Sequence, residues 1–166
     1  MNLMETDAAD REWMARAMEA AIQARDLDEV PVGACVVAAD GSLLSVAGNR
    51  TRTDCDPTAH AEVIALRAAA REVGNYRLSG AVVYSTIEPC AMCAGALVHA
   101  RIARLVFGAA DERFGAVASR FRICDSETLN HRMEITAGVM AEECRTLMQN
   151  FFRARRQTIS NSEPVD

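Results

Sequence analysis

No stretch of this chain approaches the roughly 20 consecutive apolar residues that a membrane-spanning helix requires, which argues against a helical integral membrane protein. Met1 to Asp10 are polar and acidic and lack the apolar run of a secretory signal, so the predicted compartment is the cytoplasm. There is no internal repeat and no low-complexity tract. Basic charge is also short: 18 Lys and Arg face 23 Asp and Glu, for a net charge of −5 at pH 7. A nucleic-acid binder often has the opposite balance, and this is the strongest global argument against an RNA substrate. Distribution tempers it. Arg153, Arg155 and Arg156 cluster near the C-terminus, and Arg50 and Arg52 flank a predicted loop. Local basic patches contact phosphates even on an acidic protein, although a solvated helix face is the plainer reading of such clusters taken alone. A second C-x-x-C pair is missing too, and a structural zinc ribbon usually needs four Cys or His ligands.

The 166 residues are 50% apolar and 25% charged, which fits one globular domain with its own core. The expected organisation is a single domain over residues 10–157, with flexible termini at 1–9 and 158–166. Trp13, Met14, Ala17, Met18, Ala21 and Ile22 recur at helical spacing and predict a helix from Asp10, as its N-cap, to Arg25. Val32 to Ala39 and Leu43 to Ala47, separated by Asp40-Gly41, read as a hairpin of two strands. Thr51 to Thr58 is a polar loop. A helix is predicted from Thr58 or Ala59 to Val73, closed by Gly74-Asn75. A buried strand over Ala81 to Thr86 and a helix from Cys90 to Ala100 follow, with Pro89 at the helix start. Ile102 to Gly108 is a further strand, Ala109 to Asn130 mostly loop, Glu134 to Val139 a last strand and Ala141 to Arg156 a final helix. Strands joined by helices imply parallel pairing and the hairpin implies an antiparallel edge. One mixed sheet covered by helices on both faces satisfies both.

Six cysteines are present, and without an export signal free thiols are expected rather than disulfides. Cys35, Cys55, Cys124 and Cys144 are scattered. Cys55 lies five residues before His60 and in principle within reach of a metal there; the usual three-ligand pattern of catalytic sites argues against it. Cys90 and Cys93 differ. At i and i+3 in the first turn of a helix they share a face, next to unpaired N–H groups and the positive end of the dipole, which favours thiolates. His60 and Glu62 fall at the start of another helix, and both helices follow strands, so their N-termini converge at the carboxyl edge of the sheet. Two thiolates and a neutral imidazole balance a Zn²⁺ and leave the fourth position for water, whose pKa the metal brings to about 7. Glu62 is not needed as a ligand. It is free to accept that water's proton, pass it to a ring nitrogen of a substrate and carry a proton to departing ammonia, while the hydroxide attacks the carbon bearing the exocyclic amine. H-x-E followed by P-C-x-x-C is the signature of zinc-dependent nucleobase deaminases. A lone C-x-x-C also occurs as a redox pair, but thioredoxin-like motifs do not carry an upstream H-A-E. His99, after an apolar helix, reads as a packed or capping residue; the role of His131 is open.

Longer segments narrow the reading: Glu29-Val30-Pro31-Val32-Gly33-Ala34, Gly48-Asn49-Arg50, Asp56-Pro57-Thr58-Ala59-His60-Ala61-Glu62 and Glu88-Pro89-Cys90-Ala91-Met92-Cys93-Ala94-Gly95-Ala96. Further on come Val106-Phe107-Gly108-Ala109, Leu129-Asn130-His131-Arg132, Glu134-Ile135-Thr136 and Phe151-Phe152-Arg153 with Arg155-Arg156. From about Trp13 to Gln157 the chain resembles the tRNA-specific adenosine deaminases of the bacterial TadA type, within the cytidine deaminase-like superfamily. The resemblance implies an α/β, three-layer α-β-α fold with a five-stranded mixed sheet. It implies conversion of the wobble adenosine to inosine in the anticodon loop of a tRNA, typically an arginine tRNA with anticodon ACG. It implies one Zn²⁺ per subunit on His60, Cys90 and Cys93, Glu62 as proton shuttle, and a homodimer whose two subunits share an anticodon groove, with no membrane partner. Asn49 would hydrogen-bond the flipped base, Asp111 the neighbouring ribose, and Val32, Phe152 and Arg155 would border the RNA. The chain departs from the family pattern at Phe114, where a small or polar residue is usual, at Arg113, Ala110 and Ile87, and over Ser119 to Ser126. Two other readings remain: a small-molecule deaminase of the same fold acting on guanine, cytosine or a nucleotide, and a non-catalytic zinc-binding subunit, which would be expected to lack Glu62.

Overall fold

All five residues of strand β1 (Gly33–Val37) are buried, because both of its faces are covered. Ala34 and Val36 enter a core built with helices α2 (Ala61–Val73) and α3 (Ala91–His99). Cys35 and Val37 enter a second core with Met14 and Ala17 of helix α1 (Leu3–Asp26) and Cys144 of helix α4 (Ala141–Ser160). The same period-2 alternation runs through β3 (Val82–Ile87) and β4 (Arg104–Ala109): Val83, Leu105 and Phe107 face the first core, Tyr84 and Val106 the second. The result is three layers, α1 and α4 on one side of the sheet and α2 and α3 on the other, as the cytidine deaminase-like reading requires. The computed structural model describes residues 3–160, with side chains over 7–158.

With β2 (Leu43–Gly48) and β5 (Glu134–Ala137), the sheet runs β2-β1-β3-β4-β5. β1 is antiparallel to both β2 and β3, while β3, β4 and β5 are mutually parallel. β2, β3 and β4 therefore all end at the same edge, and the segments that leave them meet there. At the opposite end of the hairpin, Asp40 Oδ1 accepts from the Ser42 amide and hydroxyl, and Gly41 takes φ +85. α1 lies so close to β1 that a Cβ on Gly33 would stand 1.9 Å from the Ala17 carbonyl oxygen. Only glycine admits that approach.

Element order matches the sequence expectation; several boundaries do not. α1 begins at Leu3, so residues 3–9, expected as part of a flexible terminus, form its first turns. Asp10 is not its cap. Its carboxylate is buried inside the helix's packing surface, where it accepts from the Tyr84 hydroxyl (2.9 Å) and from the Arg104 guanidinium (2.6 and 2.9 Å). A buried bidentate pair of this kind satisfies a charge that a solvated cap would not need. α2 starts at Ala61 and α3 at Ala91, so His60 and Cys90 are N-caps in extended conformation rather than first-turn residues. α4 continues past Arg156 to Ser160. Residues 1–2 and 161–166, the ends of the expected flexible termini, lie outside the described residues. Among those described, no helix is long and apolar enough to cross a membrane.

Candidate active site

The start of α2 is held by Asn49, which follows β2 directly. Asn49 is buried, its N–H donates to the Val32 carbonyl (3.0 Å), and its Oδ1 accepts from the Ala61 N–H (2.8 Å). Asn49 thus caps α2 in place of His60, whose imidazole makes no capping bond. The Cys90 side chain likewise leaves α3 uncapped. Both side chains are freed to turn toward each other across the sheet edge. His60 Nδ1 lies 3.7 Å from Cys90 Sγ and 3.5 Å from Cys93 Sγ, and the three ligating atoms all fall within 4.8 Å of one another. Cys55, at φ +49, is exposed and turned to the Arg52 carbonyl, outside this group.

The electrostatics of the cluster suit a cation. A hydrogen bond from the Cys93 thiol, with further help from His60, holds Cys90 down to about 4 against the opposing effect of burial. The same bond, with burial, pushes Cys93 up, and bonding to Cys90 raises His60. One imidazole and two sulfurs held this close, at two helix N-termini, form a donor set that fits Zn²⁺.

Glu62, in the first turn of α2, is 3% exposed. Its Oε1 stands 3.4 Å from the Ser85 hydroxyl, and its Oε2 is buried with no partner among the described residues. Burial is the main cause that raises its pKa. An unpaired buried carboxylate oxygen is costly, and a buried carboxyl with a raised pKa beside a cleft is a functional-site candidate.

These groups open into a cleft of about 620 Å³. His60, Glu62 and Cys90 line it together with Val32, Asn49, Asp111 and Phe152, so all of the sequence-predicted substrate residues except Arg155 reach the same cleft. Arg155 instead sits over the Phe151 ring (5.2 Å) and 3.5 Å from Asp28. Arg113, Phe114 and Met148 line the cleft as well.

Two buried carboxylates missed at the level of sequence hold the cleft's loops. Glu29 accepts from the amides of Arg52 (2.9 Å) and Thr53 (2.6 Å) and from the hydroxyls of Thr51 and Thr53, fixing the segment between β2 and α2. Glu88 accepts from the amides of Asp111 (3.1 Å), Val117 (3.1 Å), Ala118 (2.8 Å) and Ser119 (2.9 Å) and from the Ser119 hydroxyl, fixing the segment after β4. Burial opposes ionisation in both, but these bonds outweigh it and hold both pKa values below the usual range. Gly115 makes room: a Cβ there would stand 2.4 Å from the Glu88 carboxyl. The available signal was an acid placed between the strand-ending Ile87 and Pro89, beside the metal motif. His99 is exposed rather than packed, and His131 Nε2 lies 2.6 Å from the Ile102 carbonyl, away from the cleft.

A three-layer mixed sheet with an imidazole, two sulfurs and an unliganded glutamate gathered at its carboxyl edge defines a deaminase of the cytidine deaminase-like fold. Comparison with known proteins agrees. The model of the MafB19-like deaminase family matches residues 8–156. The chain is 47% identical over 148 residues to the tRNA-specific adenosine deaminase of Haemophilus influenzae, covering 89% of this chain and 86% of that protein. A solved structure from work on A-to-I editing by tRNA:A34 deaminases at the wobble position of transfer RNA is 42% identical, with a TM-score of 0.79, over 82% of this chain and 98% of the other. Guanine deaminase from Nitrosomonas europaea shares the fold at 21% identity, with a TM-score of 0.74 over 85% and 83% of the two chains. Within the MafB19-like deaminases, the chain belongs to the tRNA-specific adenosine deaminase family.

Proposed function

We propose that the protein deaminates the wobble adenosine of a tRNA anticodon loop to inosine, with an arginine tRNA of anticodon ACG as the expected substrate. The observation that carries the chemistry is the buried, unpartnered Oε2 of Glu62 beside the His60, Cys90 and Cys93 cluster. His60, Cys90 and Cys93 would hold one Zn²⁺ per subunit, which when bound supplies an acidified water at neutral pH. Glu62 takes a proton from water as oxygen adds to the carbon bearing the exocyclic amine, and gives it to the adjacent ring nitrogen. It then removes the new hydroxyl proton and delivers it to the amine, so that water and adenosine leave as inosine and ammonia. Burial raises the proton affinity of Glu62, which fits a group that must hold a proton between two transfers. The Ser85 hydroxyl donates to the Ile87 carbonyl (2.8 Å) and stands 3.4 Å from Oε1, a polar neighbour for the carboxyl group. The Oδ1 of Asn49 is committed to Ala61, which leaves its amide as a donor toward the base. To reach the cluster the adenosine has to leave its stack, and a single-stranded loop permits this at low cost. A homodimer in the cytoplasm, with both subunits contributing to the anticodon groove, belongs to the same reading.

The test is deamination of an anticodon stem-loop against free adenosine, guanine, cytosine and their nucleotides. Inosine appearing at the wobble position alone is the expected result. Turnover of guanine with none of the stem-loop would establish the small-molecule reading instead.

A further inference from the structure

The fold leaves three aromatic residues strongly exposed, Tyr76 (68%), Phe121 (59%) and Phe114 (69%), and only Phe114 lines the active-site cleft. Singly exposed apolar side chains are ordinary, so exposure alone assigns nothing to Phe114. Its backbone does. The amides of Arg113 and Phe114 both donate to Asp111 Oδ1 (2.9 and 3.1 Å), and the Gly115 amide donates to the Asp111 carbonyl (2.9 Å). The Asp111 amide is itself held by Glu88. Gly115 pairs with Cys90 in an isolated bridge, and the Ala116 amide donates to the Pro89 carbonyl (2.8 Å). Phe114 therefore stands one residue from a backbone contact to a metal-ligating cysteine, on a turn tied down on both sides. Its ring is presented to water at the mouth of the cleft by a rigid backbone.

We propose that Phe114 is a stacking platform for a nucleobase adjacent to the reacting adenosine, and so a determinant of how strongly the reaction depends on the neighbouring nucleotide. This rests on the RNA reading above. When one base enters the cleft, its neighbours in the strand are unstacked at the rim, and a free aromatic face there replaces the lost stacking. Because the turn is already ordered, little conformational freedom is lost on binding. An isolated base or nucleoside has no neighbour to stack and gains nothing from the ring.

The experiment uses three anticodon stem-loops: one intact, one abasic on the 5′ side of the wobble adenosine, and one abasic on its 3′ side. Wild type, Phe114→Ala and Phe114→Tyr are compared on each by kcat/KM. Phe114→Ala is expected to lower kcat/KM on intact RNA by about 5- to 150-fold, the worth of one base–aromatic stack, while Phe114→Tyr retains most of it. Wild type is expected to lose a similar factor on one of the abasic RNAs, and on that RNA Phe114→Ala and wild type should be equal. An unchanged kcat/KM for Phe114→Ala on intact RNA would overturn the stack, as would an equal loss on all three RNAs. If wild type is indifferent to both abasic sites, the stack also fails while the RNA reading stands. Wild type inert on every stem-loop removes the RNA reading and the stack together.

Discussion

Replacing Glu88 by alanine deletes the one group that accepts hydrogen bonds from four amides and a hydroxyl of the segment after β4. The donors do not fare alike. Ala118 and Ser119 are exposed and can turn to water, whereas Val117 is fully buried and Asp111 half-buried. A buried donor left without a partner costs roughly 1–3 kcal/mol, and a hydrogen bond to a charged acceptor contributes about 1.5–3 kcal/mol. Two stranded amides and the lost charge-assisted bonds together come to roughly 3–6 kcal/mol, a large part of the 5–15 kcal/mol that typically separates folded from unfolded chains. For a domain of this size, at about 2–4 °C for each kcal/mol, that is a fall in Tm of roughly 6–24 °C. Glu88→Gln keeps one oxygen for Val117, Ala118 and Ser119 but turns an amide nitrogen toward the Asp111 N–H, and should cost about half as much. Thermal melting followed by circular dichroism at pH 7 measures both. The pH dependence supplies a second reading. Because the Glu88 pKa is held below its usual range, the folded protein binds fewer protons than the unfolded chain near the ordinary carboxylate pKa of about 4.3. Its contribution is full above that range and is lost as pH falls through the lowered pKa, so Glu88→Gln should flatten the acid limb of the stability profile. Melting of Glu88→Ala within about 2 °C of wild type, with an unchanged acid limb, would refute the assignment of Glu88 as the anchor of this segment.

Glu62→Gln should lower kcat by roughly 10²–10⁴-fold with zinc content unchanged, and its Tm should hold or rise, because the carboxylate it removes has a buried oxygen without a partner; retained turnover would contradict the proton-transfer role. Cys90→Ala should lose most bound zinc by elemental analysis and melt earlier, since metal binding to the folded state is folding free energy; full zinc content would show that His60 and Cys93 suffice.

The order of elements and the gathering of His60, Cys90 and Cys93 were legible in the sequence because each rests on local pattern. Period-2 apolar runs, Asp40-Gly41, Gly74 and the spacing of Cys90 and Cys93 carry their meaning within a few residues. What escaped was polar and distant. Asp10 looks like a helix cap from its neighbours alone, and its partners Tyr84 and Arg104 stand 74 and 94 residues away. Glu29 and Glu88 carry no periodic signal, and their roles follow only when β2 and β4 end at the same edge. Arg155 falls in a basic cluster by sequence, but the α4 surface turns it onto Phe151 and toward Asp28 instead of into the cleft. Asn49 was expected to face the base, and it does line the cleft. Its capping bond to Ala61 is a tertiary fact that no local pattern encodes.

The same burial pattern answers the charge objection to an RNA substrate. Among the residues whose side chains are described, the acidic Asp10, Glu29, Glu62 and Glu88 are buried, while none of the basic residues is. Glu29 and Glu88 are turned onto backbone amides and Asp10 onto Arg104. The surface an RNA meets is therefore closer to neutral than the formal −5. The chain also contains no lysine, so all 18 basic residues are arginines, whose planar forks bind phosphate in a bidentate way and stack on bases. Binding to an anticodon stem-loop should then depend on phosphate contacts made by few, well-placed arginines. Raising the salt from 50 to 200 mM should weaken binding along a straight line of log K against log salt, with a slope of about −0.7 for each phosphate neutralised on single-stranded RNA. Fluorescence anisotropy with a labelled stem-loop measures that slope directly. A slope of zero would mean that no arginine meets the backbone and that base contacts alone hold the RNA. A slope that Phe114→Ala leaves unchanged while affinity falls would separate stacking from charge.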